Sequence, residues 1–231
     1  MPSWKAIFFD LDNTLWDHTK AQAAAIRALC QSVELCFETF YTIYRVHNQA
    51  VWDLYLANQI SLSDMRIQRF ERSLHVLGLT TLDAQQLSTT YLSLYAGECH
   101  LMPHAVTVAE QLAALCRLGI ITNGARDVQT RKVKTSPLAP FISYIISSQD
   151  ANLLKPSPGI FHCALRTAAL APSDVLYVGD SYREDVIGAK GASLAVVWYN
   201  PTQALRPPGP ESPDFEIHTL QELLPGRGIV D

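Results

Sequence analysis

KAIFFDLDNTLWDH, residues 5–18, decides the fold. Four apolar residues, Ala6 to Phe9, run without a polar break into Asp10, Leu11 and Asp12, and Asn13-Thr14 follow. An unbroken short apolar run fits a strand buried on both faces of a sheet. Such a strand ending in two nearly adjacent carboxylates places charge where a parallel sheet opens to ligands, beyond the carboxyl ends of its strands. The dull alternative is a turn, with Asp12-Asn13 as turn formers.

Outward from this stretch, two textures share the chain. Residues 1–16 and 100–231 alternate short apolar runs with helical patterns. The predicted strands are 6–9, 119–122, 142–147, 175–178, 194–198 and 215–217. The predicted helices lie near 104–117, 127–135, 158–170, 183–191 and 219–224. That alternation predicts an α/β fold, a doubly wound parallel-sheet (Rossmann-like) core covered on both faces. Residues 17–99 contain no proline and fit four helices, near 18–34, 37–58, 62–77 and 83–97, with N-caps expected at 63–64 and 81–83. They form an all-helical insert after the first strand. In its second helix Phe37, Phe40, Tyr41, Tyr44, Val51, Trp52 and Tyr55 recur at three- and four-residue spacing, the pattern of a helix-packing core. The proline-rich segment 201–213 reads as a surface loop.

Composition removes several classes. The 231 residues are 48% hydrophobic and 17% charged, with a net charge of −4 and no Lys/Arg run, so the chain folds compactly and lacks the footprint of a nucleic-acid binder. The apolar runs are far shorter than the roughly 20 residues of a membrane span. The start MPSWKAIFFD has no signal-peptide pattern, and the five cysteines form no CxxC pair. A cytoplasmic, reducing setting is expected, with the chain acting as a monomer or homodimer.

Four of the six predicted strands lead into candidate chemistry: Asp10 and Asp12; Thr122, Asn123 and Gly124; Lys155 in the loop after 142–147; Asp180 with Asp185 five residues on. Taken singly these are ordinary turns and caps. T-N-G is a good turn, and G-D-S can cap a helix. Taken together they place four carboxylates, a hydroxyl and a lysine on one sheet edge. Four converging carboxylates repel and call for positive charge. Mg2+, which takes oxygen ligands and keeps places for water or phosphate oxygens, suits them. A lysine, a hydroxyl and loop amides suit a phosphoryl group.

With these residues in view, the chain resembles the haloacid dehalogenase superfamily. D-x-D-x-T stands as Asp10 to Thr14, the strand-end Thr as Thr122 in GIITNG, the lysine as Lys155 in LLKPSPGIF, and the acidic pair as Asp180 and Asp185 in VGDSYREDVIGA. The helical insert sits where the family's cap sits. The join ALCRLGIIT, residues 114–122, is shorter than in many relatives. The resemblance implies a magnesium-dependent phosphatase of small phosphomonoesters, of nucleotide or sugar-phosphate type. Asp10 would be the nucleophile and Asp12 the proton shuttle. Thr122 and Lys155 would hold phosphoryl oxygens. Asn123 would join them in binding the substrate phosphate, hydrogen-bonding near the nucleophile, or else serve the turn. Asp10, the Asp12 carbonyl and Asp180 would hold the metal, with Asp185 orienting ligands. Trp16, His18 and the aromatic set of the second insert helix stand as substrate-contact candidates against the plainer core and loop readings, and Arg126 against a surface salt bridge. The rivals are a 2-haloacid dehalogenase or phosphomutase on the same fold, and a non-catalytic phosphate- or metal-responsive module. Dehalogenases have no leaving alcohol to protonate and typically lack the second aspartate, so Asp12 speaks against that rival.

Overall fold

The structure is a computed structural model describing residues 4–230; residues 1–3 and 231, which the sequence reading assigns to the core, lie outside the described residues. Six strands form one sheet: β1 (Ala6–Phe9), β2 (Arg117–Thr122), β3 (Ile142–Ser147), β4 (Val175–Gly179), β5 (Ala195–Tyr199) and β6 (Phe215–Ile217). Their order is β3-β2-β1-β4-β5-β6, and every neighbouring pair is parallel. Both β1 and β4 are buried along their whole length, which is why they read as unbroken apolar runs. Phe8 and Phe9 are each 1% exposed, and burying such a side chain stabilises the fold by roughly 1.5–3 kcal/mol. The order reverses between β1 and β4. A crevice for ligands forms at such a point in a doubly wound sheet. Register carries Asp10 there, because Phe9 lies opposite Val178 and the Asp10 amide donates to the Val178 carbonyl at 2.8 Å.

The chain divides into two compact units. One runs up to His18 and resumes at Cys99, and the other spans Thr19–Glu98. The sequence reading puts the insert at 17–99, two residues earlier at its start and one later at its end. The insert consists of α1 (His18–Ser32), α2 (Phe37–Leu56), α3 (Leu62–Leu77) and α4 (Ala84–Gly97). Ser61, not 63–64, caps α3: its hydroxyl accepts the Asp64 amide at 3.0 Å while Asp64 accepts the Ser61 amide. Phe40 and Tyr44 of α2 stack with Phe70 of α3 and Tyr91 of α4 at centroid separations of 5.2–6.4 Å. All four rings are buried, so this part of the aromatic stripe is core.

In the larger unit α5 (Ala105–Ala113), α6 (Arg126–Lys134), α7 (Ser148–Ala151), α8 (Pro158–Ala168) and α9 (Gly188–Gly191) link the strands. Two local expectations change. Helix α5 stops at Ala113 and β2 starts at Arg117, because Leu118 pairs with Ile7 and the Arg117 amide donates to the Lys5 carbonyl at 3.2 Å. Where a regular helix near 183–191 is expected, residues Tyr182–Ile187 form a π-helical turn ahead of α9. This wider turn carries Asp185 back toward the strand ends. None of the described helices is long and apolar enough to cross a membrane, and all five cysteines are free.

Candidate active site

Asp10 follows β1 and Asp180 follows β4. Asp185 comes from the π-helical turn, and its second oxygen accepts the Ser181 amide at 2.9 Å. One carboxylate oxygen from each of these three aspartates lies within 4.8 Å of the others. Thr14 joins the first loop to the fourth, donating from its buried hydroxyl to Asp180 Oδ1 at 3.3 Å. Gly179 makes room for this arrangement, since a Cβ there would stand 2.3 Å from Asp185 Cγ.

Lys155 Nζ is buried between two of the aspartates, 2.6 Å from Asp10 Oδ1 and 2.6 Å from Asp185 Oδ1. Tyr177 braces it from below, its hydroxyl donating to Asp185 Oδ1 at 2.7 Å and lying 3.1 Å from Nζ. Burial alone would lower the Lys155 pKa, but the flanking Asp10 and Asp185 outweigh it and hold the ammonium above its usual range. Burial, with repulsion from Asp185 and Asp180, pushes Asp10 upward despite the attraction of Lys155. Burial and Asp185 push Asp180 up to about 7. With all three carboxylates ionised, as a bound cation would hold them, one ammonium leaves two negative charges to be offset, and every donor is a hard oxygen. That donor set fits a divalent Mg2+-like cation.

Thr122 ends β2, and Asn123 follows it. The Thr122 hydroxyl oxygen accepts the Gly124 amide at 3.0 Å and the Gln129 side-chain amide at 2.9 Å. With both lone pairs used, its hydrogen is left to donate to an incoming oxygen. Asn123 braces the Lys155 loop. Its carbonyl oxygen accepts the Lys155 amide at 2.7 Å, and its NH2 donates to the Lys155 carbonyl at 3.0 Å and to Glu184 at 2.8 Å. Arg126 forms an ion pair with Asp150 at the periphery, the plainer of its two readings.

The Asp12 carboxylate has a separate set of partners. It pairs with Lys132 of α6 and accepts the Gln129 amide at 2.7 Å, and His18 Nδ1 lies 4.0 Å away. Burial would raise the Asp12 pKa, but Lys132 and His18, with hydrogen bonds from Lys132 and Gln129, hold it down to about 2. Sequence reasoning missed Lys132, Gln129 and Glu184. The first two were findable: Val128, Gln129, Lys132 and Val133 form the buried face of α6, and a lysine on a buried stripe needs a partner.

A model of the haloacid dehalogenase-like hydrolase family matches residues 4–193, and the chain belongs to that family. It is 29% identical over 224 residues to pyrimidine 5'-nucleotidase YjjG of Escherichia coli, covering 96% of this chain and 98% of that protein. The magnesium-bound structure of the putative HAD-hydrolase YfnB from Bacillus subtilis superposes with a TM-score of 0.85 at 26% identity, over 95% of this chain and 96% of that one. A 2-haloacid dehalogenase from Pseudomonas syringae superposes with a TM-score of 0.68 at 28% identity, over 95% and 96%.

Proposed function

We propose that the protein is a magnesium-dependent phosphatase of small phosphomonoesters, of the nucleotide or sugar-phosphate kind, working through an aspartyl-phosphate on Asp10. The observation that carries this reading is the second aspartate. Asp12 is joined through Gln129 to Thr122, so an acid–base group stands tied to a hydroxyl able to hold a phosphoryl oxygen. Displacing halide from carbon requires no such group, whereas displacing an alkoxide from phosphorus does.

An Asp10 oxygen attacks phosphorus, and the bond from phosphorus to the ester oxygen breaks with its electron pair on that oxygen. Asp12 delivers the proton that makes it an alcohol. In the free site the ion pair keeps Asp12 ionised, and the negative charge of a bound phosphoryl group raises its proton affinity. Water then attacks the same phosphorus, Asp12 takes its proton, and the bond to Asp10 breaks to release phosphate. Thr122 and Lys155 hold the phosphoryl oxygens while charge spreads over them. Asp10, Asp180 and the Asp12 backbone carbonyl would hold Mg2+, with Asp185 orienting its ligands. The cation, when bound, supplies positive charge against phosphate and nucleophile.

The helical unit takes the role of the family's cap by its position in the chain, directly after the first motif. The relatives named as nucleotidases support the nucleotide branch, and the free cysteines fit a reducing cytoplasm. The test measures phosphate release from nucleoside monophosphates, sugar phosphates and an aryl phosphate beside halide release from 2-haloacids. Phosphate release is expected; halide release without it would assign the chain to the dehalogenases.

A further inference from the structure

The geometry points to Lys132 and Gln129 as a two-point clamp that orients the Asp12 carboxylate for proton transfer. This inference rests on the phosphatase reading of Asp12. The two oxygens of Asp12 are bound separately. Oδ1 pairs with Lys132 Nζ, and Oδ2 accepts Gln129 Nε2 at 2.7 Å. A carboxylate fixed at both oxygens cannot rotate about its last bond. Lys132 is fully buried, so its ammonium is placed to serve Asp12 rather than substrate. Its Nζ lies 5.2 Å from the centre of the Trp16 ring, a second attraction fixing its position.

Gln129 is 1% exposed, and its NH2 spans two functional groups, Asp12 and the Thr122 hydroxyl. Its carbonyl oxygen has no partner among the described residues, a cost accepted where both amide hydrogens are committed. Gly124 clears the space this requires: a Cβ at Gly124 would stand 2.2 Å from Gln129 Nε2. The glycine of T-N-G is therefore explained by the clamp, since its backbone has no positive φ that would call for glycine. The spacing of Gln129 and Lys132, three residues apart on α6, puts both groups on the same side of the helix. Both are positioning residues, acting through Asp12.

The test exploits leaving-group chemistry. An alkyl ester needs its departing oxygen protonated, whereas 4-nitrophenolate leaves readily without a proton. The ratio kcat/KM reports only the steps through alcohol departure, so the later hydrolysis does not obscure it. We measure it for uridine 5'-monophosphate, or another alkyl ester that the wild-type chain turns over, and for 4-nitrophenyl phosphate. For Lys132→Met the alkyl ester is expected to lose about 10²-fold and the aryl ester no more than about threefold, as loss of aimed general acid catalysis requires. Lys132→Arg, which keeps the charge, should recover most of the alkyl activity. Equal losses on both esters, or no loss on either, would overturn the clamp. If Lys132→Met does not fold, Gln129→Leu and Gly124→Ala carry the same comparison with the same overturning result. A wild-type chain that releases phosphate from neither ester would instead remove the phosphatase reading, and the clamp with it.

Discussion

Asp12 shows how far apart two carboxylates two residues distant can be in chemistry. Asp10 faces Asp180, Asp185 and Lys155, while Asp12 faces Lys132, Gln129 and His18. Burial and like charges raise one pKa, and a buried ammonium lowers the other. These shifts belong to the cation-free site and run opposite to the proposed roles: a divalent cation would return Asp10 to the ionised form that a nucleophile needs, and the negative charge of a bound phosphoryl group would raise Asp12 toward the protonated form that a shuttle needs. Replacing Asp12 by Asn keeps the shape and removes the proton. Turnover of an alkyl ester should fall by about 10²–10⁴-fold, and the aspartyl-phosphate should persist long enough to appear by mass spectrometry of quenched protein. Unchanged steady-state rates would remove Asp12 from the proton path. Asp10, Thr122 and Asp180 were legible in the sequence because each stands where an apolar strand ends, and Lys155 and Asp185 because they follow such strands within a few residues. The partners of Asp12 were harder to read. Lys132 lies 120 residues from Asp12, and no local pattern joins them; only the buried stripe of α6 hints that its lysine needs a partner.

At the scale of elements, turns and glycines aim the side chains. The π-helical turn Tyr182–Ile187 swings Asp185 over Gly179, where a side chain would collide with it. Gly179→Ala should therefore cost about 1–3 kcal/mol, as overpacking of a tight site does. Urea unfolding measures this, and activity should fall with it because Asp185 is displaced; an unaltered midpoint with full activity would contradict the account. Strand positions were readable because β1 and β4 are buried on both faces and their apolar runs are unbroken. Helix ends were less so. Helix α5 is shortened because β1 captures the residues from Arg117 onward for the sheet, a long-range pairing that overrides a helical pattern. The cap of α3 moved to Ser61 for a local reason, the reciprocal bonds with Asp64. The π-helical turn had no sequence signature, since it answers to the place where Asp185 must arrive.

For the whole molecule, the sheet order supplies the site: reversal between β1 and β4 brings Asp10 and Asp180, 170 residues apart in sequence, to one crevice. The carboxylate oxygens of Asp10, Asp180 and Asp185, gathered within 4.8 Å of one another, make the folded state a better ligand for a divalent cation than the unfolded chain. Magnesium should raise the thermal midpoint, with a gain of about 2.7 kcal/mol at one hundred times its dissociation constant. Chelation should lower that midpoint and abolish phosphate release, and magnesium should restore both. The thermal response should be weakened in Asp180→Asn; the same shift in that variant would place the cation elsewhere.

Phosphate release by the wild-type chain and by Asp10→Asn, across nucleotides, sugar phosphates and an aryl phosphate, with and without magnesium, tests the central claim most directly. Magnesium-dependent release that vanishes in Asp10→Asn is the predicted result. Full release by the Asp10→Asn variant would contradict the covalent mechanism, and no release by the wild-type chain from any ester would contradict the phosphatase reading itself.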